Sequence, residues 1–179
     1  FSGHTEQIPK VDDEISSVKD LSEHPVDVHA PSNRNDWPKS GQYALWHYAG
    51  HSHLRSDNPF YSYLDLEDGP LFAADFRLRN VQVNLVVLAA CRTAEQTTVS
   101  GEEPTGIVRS LLEMGAKNIL AGQWQVSDKI TSEWMKIFYT EYFKSKNLNK
   151  SLAKTKIVIR EKYKSIYYWG PFILYGAAV

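Results

Sequence analysis

The sequence predicts an α/β fold in which helices flank a central sheet. The first observation is the apolar run from Leu85 to Ala90, which has the composition of a strand buried on both faces of a parallel sheet. The second is the alternation of strand-like and helix-like segments over most of the 179 residues. Apolar residues make up 42% of the chain and aromatic residues 12%, which is enough for one domain with a substantial core.

The first half of the chain contains mainly strand signals. Acidic residues at 12–14, followed by Ile15, Val18 and Leu21, predict a small helix. Alternation over 61–66 and a Glu-Asp-Gly-Pro turn at 67–70 predict a hairpin. The remaining predicted elements of this half are a short strand at 25–29, a strand at 42–48, one helical turn at 73–78 and the central strand at 81–90.

The second half alternates helices with short strands. Apolar residues at helical spacing predict three helices, and two short apolar runs predict strands. In chain order, these elements are a helix that Pro-Thr-Gly at 104–106 opens and Gly115 ends, a strand at 118–122, a helix capped by Ser127 or Asp128, a helix at 148–163 and a last strand at 171–176. Between the central strand and the first of these helices, the polar residues 92–103 predict a loop that forms an exposed connection.

Charge and cysteine content limit the partners and the compartment. Twenty basic and twenty-one acidic residues leave a net charge of -1, so we expect neither a nucleic-acid nor a membrane partner. No apolar run reaches the length of about 18 residues that a membrane span requires. The single cysteine favours a reducing compartment, and we therefore expect a cytoplasmic protein. Because the chain starts at Phe1 and not at methionine, we expect it to be a piece of a longer polypeptide.

Two strand ends carry residues that could perform chemistry together. The strand at 42–48 leads to His51, and the central strand leads to Cys91, the only cysteine. In α/β sheets, ligands bind beyond the carboxyl ends of the parallel strands, so neighbouring strands would present both side chains at one edge. An imidazole can help to deprotonate a thiol and can later protonate a leaving group. The pair therefore indicates a candidate Cys-His dyad.

Four motifs in order make the dyad more specific. They are His-Tyr-Ala-Gly-His at 47–51, the run at 85–93 that ends in Ala-Cys-Arg-Thr, the segment 115–128 from Gly-Ala-Lys-Asn to Gln-Val-Ser-Asp, and Tyr-Trp-Gly-Pro-Phe-Ile-Leu-Tyr-Gly at 168–176. Together they resemble the CHAT family of caspase-like cysteine peptidases, which is related to separase. The resemblance covers residues 42–176, and four motifs in register are more specific than any one of them.

The resemblance implies a fold and a reaction. The fold would be a caspase-like, mostly parallel central sheet with helices on both faces, lacking its N-terminal strand-helix units. Residues 1–41 would form a partly ordered lead-in and residues 42–179 the peptidase domain. The reaction would be cleavage of a specific protein substrate through an acyl-enzyme, without metal or organic cofactor. A regulatory domain or an activating partner outside this chain is also implied.

The family's catalytic residues map onto His51 as the histidine and Cys91 as the nucleophile. The backbone N–H groups of Cys91 and Ser52 would hold the oxyanion. The family usually has glycine where Ser52 stands here, so this loop must present its N–H group without the conformational freedom of glycine. The family also commonly has Pro-Val-Asp-Asp where this sequence has Gln-Val-Ser-Asp at 125–128.

Four residues are candidates for substrate binding. Ala89 lies two positions before the nucleophile, where related peptidases place a pocket-lining side chain. Asp128 could select a basic residue before the scissile bond, or it could cap a helix. Trp124 could form a pocket wall or belong to the core, and Ser127 lies in the same loop.

Other interpretations of these residues remain open. Cys91 could be a buried structural cysteine, and the fold could serve as a non-catalytic docking or scaffolding module. His47, His51 and His53 with Cys91 could bind zinc, although we expect His47 to have a structural role. The lysine-rich segment 144–164 could contact nucleic acid, but a solvated helix face is the simpler interpretation.

Overall fold

The computed structural model describes residues 1, 11–22, 25–90 and 106–176. The strands in these ranges are β1 (Ser40–Gly50), β2 (Ser52–His53), β3 (Tyr63–Leu66), β4 (Gly69–Phe72), β5 (Asn80–Ala90), β6 (Asn118–Gly122) and β7 (Phe172–Gly176). The helices are α1 (Val11–Leu21), α2 (Ala73–Phe76), α3 (Ile107–Met114), α4 (Asp128–Ser145), α5 (Leu148–Lys162) and α6 (Ile166–Trp169). Single 3-10 turns occur at Arg34–Asp36 and Pro59–Tyr61.

The strands form a central sheet and a small second sheet. The central sheet has the order β1-β5-β6-β7, in which β1, β5 and β6 are parallel and β7 is antiparallel. β1 and β5 pair along their whole length, from Ser40 opposite Asn80 to Gly50 opposite Ala90. The small sheet is antiparallel and has the order β2-β3-β4. The predicted α/β class with a mostly parallel sheet is confirmed.

Both faces of the central sheet are covered, as the continuous apolar run of β5 predicted. Successive side chains of a strand point to opposite faces. Val86 and Leu88 therefore pack with α2, α3 and the small sheet, whereas Leu85 and Val87 pack with α1, α4 and α5. All four side chains have no exposed surface. Full burial of such side chains contributes about 1.5–3 kcal/mol each, so this strand is the main apolar element between the layers.

The small sheet lies against one face of the central sheet through an alternating pattern. In β3, Leu64 and Leu66 are fully buried, while Tyr63 and Asp65 are only half-buried. Leu71 of β4 is buried beside Leu64, its cross-strand partner. The small sheet thus adds its leucines to the core and turns its other face outward.

The turn from α3 into β6 requires a glycine. Gly115 follows α3 with a φ of +128°, and a Cβ atom at this position would overlap the carbonyl oxygen of Val81. Only glycine combines this backbone conformation with such a close approach to a neighbouring strand. The predicted end of the helix at Gly115 is confirmed.

Most of the predicted elements occur within one or two residues of their expected bounds, but the strand predicted at 25–29 is wrong. This stretch belongs to none of the strands in the described part of the chain, and Val28 is 43% exposed. Its two valines alternate with polar residues, but no described strand pairs with them. The two-residue strand β2 was not predicted, and the loop predicted at 92–103 lies outside the described residues.

The lysine-rich helix α5 is partly neutralised by its neighbour α4. Lys154 pairs with Glu141 at 3.0 Å and Lys162 pairs with Glu133 at 2.7 Å. Both lysines are more than half exposed, as expected for a solvated helix face. In the described part of the chain, no helix is long and apolar enough to cross a membrane.

Candidate active site

The candidate site begins where β1 and β5 end side by side. Gly50 and Ala90 are partners in the parallel ladder and are the last residues of their strands. His51 follows Gly50, and its side chain is half-buried. Cys91 follows Ala90 in the sequence and lies outside the described residues. The structure therefore places the predicted histidine at the sheet edge where β5 ends, and the position of the predicted nucleophile stays a prediction.

The backbone of His51 is held by two hydrogen bonds. Its carbonyl oxygen accepts from the backbone N–H of Asp65 at 3.0 Å and lies 2.9 Å from the hydroxyl of Tyr48. The same hydroxyl lies 2.8 Å from the carbonyl oxygen of Asp65, so one proton is shared between two acceptors. The ring of Tyr48 has no exposed surface. Tyr48 thus joins the end of β1 to β3 at the residue that carries the candidate base.

The hydroxyl of Tyr48 stays protonated because of its surroundings. Burial raises its pKa far above the usual value, and the nearby negative charge of Asp65 raises it further. A neutral hydroxyl is a donor, which both facing carbonyl groups require. The hydrogen bonds from Tyr48 to the His51 segment therefore persist over the whole pH range below the alkaline region.

Ser52 lies in an extended strand that does not need glycine. It pairs with Leu64, and the next pair of the ladder is His53 with Tyr63. The carbonyl group of His51 points toward β3. The N–H of the same peptide unit belongs to Ser52 and therefore points away from β3. Among the described residues, Lys146 is the only non-glycine residue with a positive φ. Serine at position 52 is therefore compatible with the backbone, and its N–H points to the side that β3 does not cover.

The three histidines of this segment have different surroundings. His47 is buried, and its Nδ1 atom lies 2.7 Å from the hydroxyl of Tyr139 on α4, which confirms the expected structural role. His53 is exposed and stacks on Tyr63 with a centroid distance of 4.6 Å. Within the described ranges, no group of three or more His, Cys, Asp or Glu side chains could hold a metal ion.

Of the four candidate binding residues, Ala89 is the most buried. It is 9% exposed and packs in the apolar cluster with Trp134 and Phe172, on the α4 side of the sheet. Its contacts are those of a core residue next to the strand end. Ser127 is the exposed N-cap of α4, and its side chain makes no capping bond. Asp128 is exposed in the first helical turn, where a carboxylate is favoured by the helix dipole.

Trp124 is fixed at the end of β6 by the segment of α6. Its indole Nε1 donates to the carbonyl oxygen of Tyr167 at 2.9 Å. In return, the Tyr167 hydroxyl donates to the carbonyl oxygen of Gln125 at 2.6 Å. The indole is half-buried, and its edge would lie 3.2 Å from a Cβ atom added at Gly170. These reciprocal bonds hold the loop after β6 at the same sheet edge as His51, so Trp124 and Asp128 lie two strands away from the histidine.

Gly122 allows the β6 end to approach the end of β5 closely. A Cβ atom at this position would lie 3.2 Å from the carbonyl oxygen of Ala90, which is tighter than ordinary van der Waals contact. The residue that precedes the predicted nucleophile therefore packs directly against the backbone of the neighbouring strand.

Sequence reasoning missed Tyr48, Tyr167 and Gly122 as supports of the site. Tyr48 offered a signal, because a tyrosine within a buried strand needs a partner for its hydroxyl. A glycine at a strand end similarly indicates a close backbone approach. Tyr167 offered no such signal, since its partner is 42 residues away in the sequence.

Comparison with known proteins identifies the family. The model of the family described as the CHAT domain matches residues 2–177. The chain belongs to the CHAT-domain family. A search among curated proteins finds no match to this CHAT domain.

Two solved structures resemble the CHAT domain in fold. The separase of the Saccharomyces cerevisiae separase-securin complex aligns with a TM-score of 0.51 and 15% identity, covering 73% of this chain and 8% of separase. A structure described as that of a protease aligns with a TM-score of 0.52 and 14% identity, covering 75% of this chain and 34% of the protease. At these identities the likeness shows the fold, and the predicted caspase-like architecture is confirmed. The CHAT domain spans only a minor part of either chain.

Proposed function

We propose that this CHAT domain is a cysteine endopeptidase that cleaves a specific protein substrate with a dyad of Cys91 and His51. The observation that carries the proposal is the register of β1 and β5, which ends with Gly50 opposite Ala90. Neighbouring parallel strands lie about 4.8 Å apart. Two residues that each follow one member of this pair start at one edge of the sheet, within reach of a shared scissile bond.

The proposed reaction proceeds through a thioester. The Cys91 thiol gives its proton to His51, and the sulfur forms a bond with the carbonyl carbon of the substrate. The carbonyl electrons move to the oxygen, where the backbone N–H groups of Ser52 and Cys91 stabilise the negative charge. The intermediate collapses with cleavage of the C–N bond, and protonated His51 gives its proton to the leaving amine. Water, deprotonated by His51, then hydrolyses the thioester and regenerates the thiol.

The proposed reaction uses no metal and no organic cofactor, because the thiol and the imidazole supply both the nucleophile and the proton transfers. We also propose that a partner outside this chain regulates the activity. The separase neighbour is described in a complex with securin. A cytoplasmic location remains part of the proposal.

Labelling of Cys91 by iodoacetamide tests the dyad. We expect the thiol to react faster than free cysteine at pH 7, because an adjacent base raises the thiolate fraction. His51→Ala should slow the labelling by up to about 30-fold, because a thiol with the ordinary pKa of about 8.5 is only about 3% thiolate at pH 7. His29→Ala serves as the matched control, because His29 is also half-buried but lies beside Asp36, away from the strand ends. Equal labelling rates in the wild type and in His51→Ala would contradict the proposed dyad and favour the docking-module interpretation.

A further inference from the structure

The outward face of the small sheet carries a continuous row of aromatic rings. We call His53, Tyr63, Phe72 and Tyr61 the aromatic row. The register places His53 opposite Tyr63 and Tyr63 opposite Phe72, so three strands present one ring each on the same face. His53 stacks on Tyr63 at 4.6 Å, and Tyr63 meets Phe72 edge to face at 5.7 Å. Tyr61 continues the row, with its ring 6.0 Å from that of Phe72 in a T-shaped arrangement.

The core does not need the aromatic row. The opposite face of the same strands already supplies Leu64, Leu66 and Leu71 to the interior, where they are fully or almost fully buried. Tyr61 is 56% exposed, and His53 is also exposed. Rings on an outward face leave apolar surface in water, which folding alone does not favour. Aromatic side chains are enriched at binding surfaces because they offer a large rigid contact area, so the row has the composition of a recognition surface.

The aromatic row begins beside the candidate base. His53 comes two residues after His51, and residues i and i+2 of an extended segment share one face. The two positions are about 6.6 Å apart in an extended chain, which is also the length of two substrate residues. The row is therefore within reach of the residues that adjoin a bond cleaved at His51.

The order of the strands indicates which substrate segment, before or after the scissile bond, lies against the aromatic row. β5, which precedes Cys91, lies between β6 and β1, and His51 follows β1. In the proposed reaction His51 protonates the leaving amine, so the leaving part of the substrate lies on the His51 side. The loop with Trp124 and Asp128 lies on the other side, beyond β5. The chain that follows the scissile bond thus runs past His51 toward β2 and β3.

We propose that the aromatic row binds the substrate segment after the scissile bond and selects an aromatic side chain within its first three residues. The inference rests on the proposed peptidase function and adds a specificity surface to it. Offset or edge-to-face contact between a substrate ring and Tyr61 or His53 provides the selection. The contacts are made by side chains of the aromatic row.

Cleavage of a defined peptide library by the whole chain tests this surface. The peptides carry every residue type at each position, and mass spectrometry locates the cleaved bonds. The best acyl sequence is then made with phenylalanine or alanine at the preferred position after the bond. We expect kcat/KM to favour phenylalanine by about three- to tenfold, the range typical of one aromatic contact.

The double variant His53→Ala/Tyr61→Ala should remove this preference. Both side chains are exposed, so the fold should be retained, and the melting temperature checks it. Tyr61→Phe should retain the preference because it keeps the ring. The matched control is Tyr43→Ala, which removes a 37% exposed tyrosine from the opposite end of β1. A methylamide of the same acyl sequence carries no ring after the bond, so the kcat/KM of each protein for the peptides is divided by its kcat/KM for this amide.

The outcomes separate the two proposals. A preference lost in the double variant and kept in the Tyr43 control supports the aromatic row. Cleavage without an aromatic preference after the bond, or with a preference that the double variant keeps, overturns the row and leaves the peptidase proposal intact. Labelling of Cys91 that depends on His51 but no cleavage of any library peptide also overturns it, since a random library contains the proposed ligand. Absence of both cleavage and His51-dependent labelling overturns the proposed function itself.

Discussion

Removing the Tyr48 hydroxyl should loosen the candidate base without opening the core. Tyr48→Phe keeps the buried ring and deletes one oxygen that lies 2.9 Å from the His51 carbonyl and 2.8 Å from the Asp65 carbonyl. The His51 carbonyl keeps its bond from the Asp65 N–H. The Asp65 carbonyl loses a buried donor, and a buried polar group left without its partner costs about 1–3 kcal/mol.

The expected destabilisation is therefore at the low end of that range, about 1–2 kcal/mol. For a chain of 179 residues, this corresponds to a fall of about 2–8 °C in the melting temperature. The rate of Cys91 labelling at pH 7 should fall by roughly tenfold, because the His51 backbone gains freedom. Complete loss of the base costs at most about 30-fold in this labelling rate, so a partial loosening should cost less. Calorimetry and iodoacetamide kinetics on the same preparation measure both quantities.

A second tyrosine provides the control. Tyr142 lies half-buried on α4, outside the site, and Tyr142→Phe should change the labelling rate by less than about twofold. If Tyr48→Phe melts like the wild type and labels at the same rate, then the hydroxyl does not position His51. If it loses stability but keeps the rate, its role is confined to the fold.

Three further predictions follow from the same regions. Gly115→Ala should lower the free energy of unfolding by at least about 1–3 kcal/mol, because a positive φ and an overlap with the Val81 carbonyl coincide there; urea titration measures this, and an unchanged midpoint would contradict it. Gly122→Ala should raise the activation free energy of Cys91 labelling by more than it lowers the free energy of unfolding, because its Cβ would push on the Ala90 carbonyl. Equal changes in the two free energies would indicate simple strain. Above pH 10 the unfolded chain releases the Tyr48 proton and the folded chain keeps it, since burial raises its pKa. Stability contributed by this group is complete below pH 10 and is lost by about 1.4 kcal/mol per pH unit above it, so the wild type should lose stability faster than Tyr48→Phe in alkaline titration.

The sheet could be predicted from the sequence because a strand that is buried on both faces is apolar at successive positions. The run at 85–90 is apolar at every position, and the structure buries it on both faces. The helices were predictable for a similar reason, since each has one apolar face. The strand predicted at 25–29 failed because alternation says nothing about whether a partner strand is near.

The contacts that support His51 were harder to predict than its position at a strand end. His51 stands at a strand end that the aromatic run at 42–48 already marked. The bonds that hold it come from Tyr48 and Asp65, and the latter is a residue of the small sheet whose position depends on the hairpin register. The reciprocal bonds of Trp124 and Tyr167 likewise join segments more than 40 residues apart in sequence. Such contacts exist only after the chain has packed, and local patterns do not encode them.

The connection between β1 and β5 explains why the candidate base and the aromatic row occur together. Parallel neighbours need a crossover, and most crossovers place a long helix on one face of the sheet. Here residues 51–79 instead form the small sheet and the single-turn helix α2. The small sheet fills the core with its leucines and, because strand side chains alternate, must present a second face outward. That face starts next to His51, so the connection that brings β5 beside β1 also supplies the surface that we propose for the substrate segment after the scissile bond.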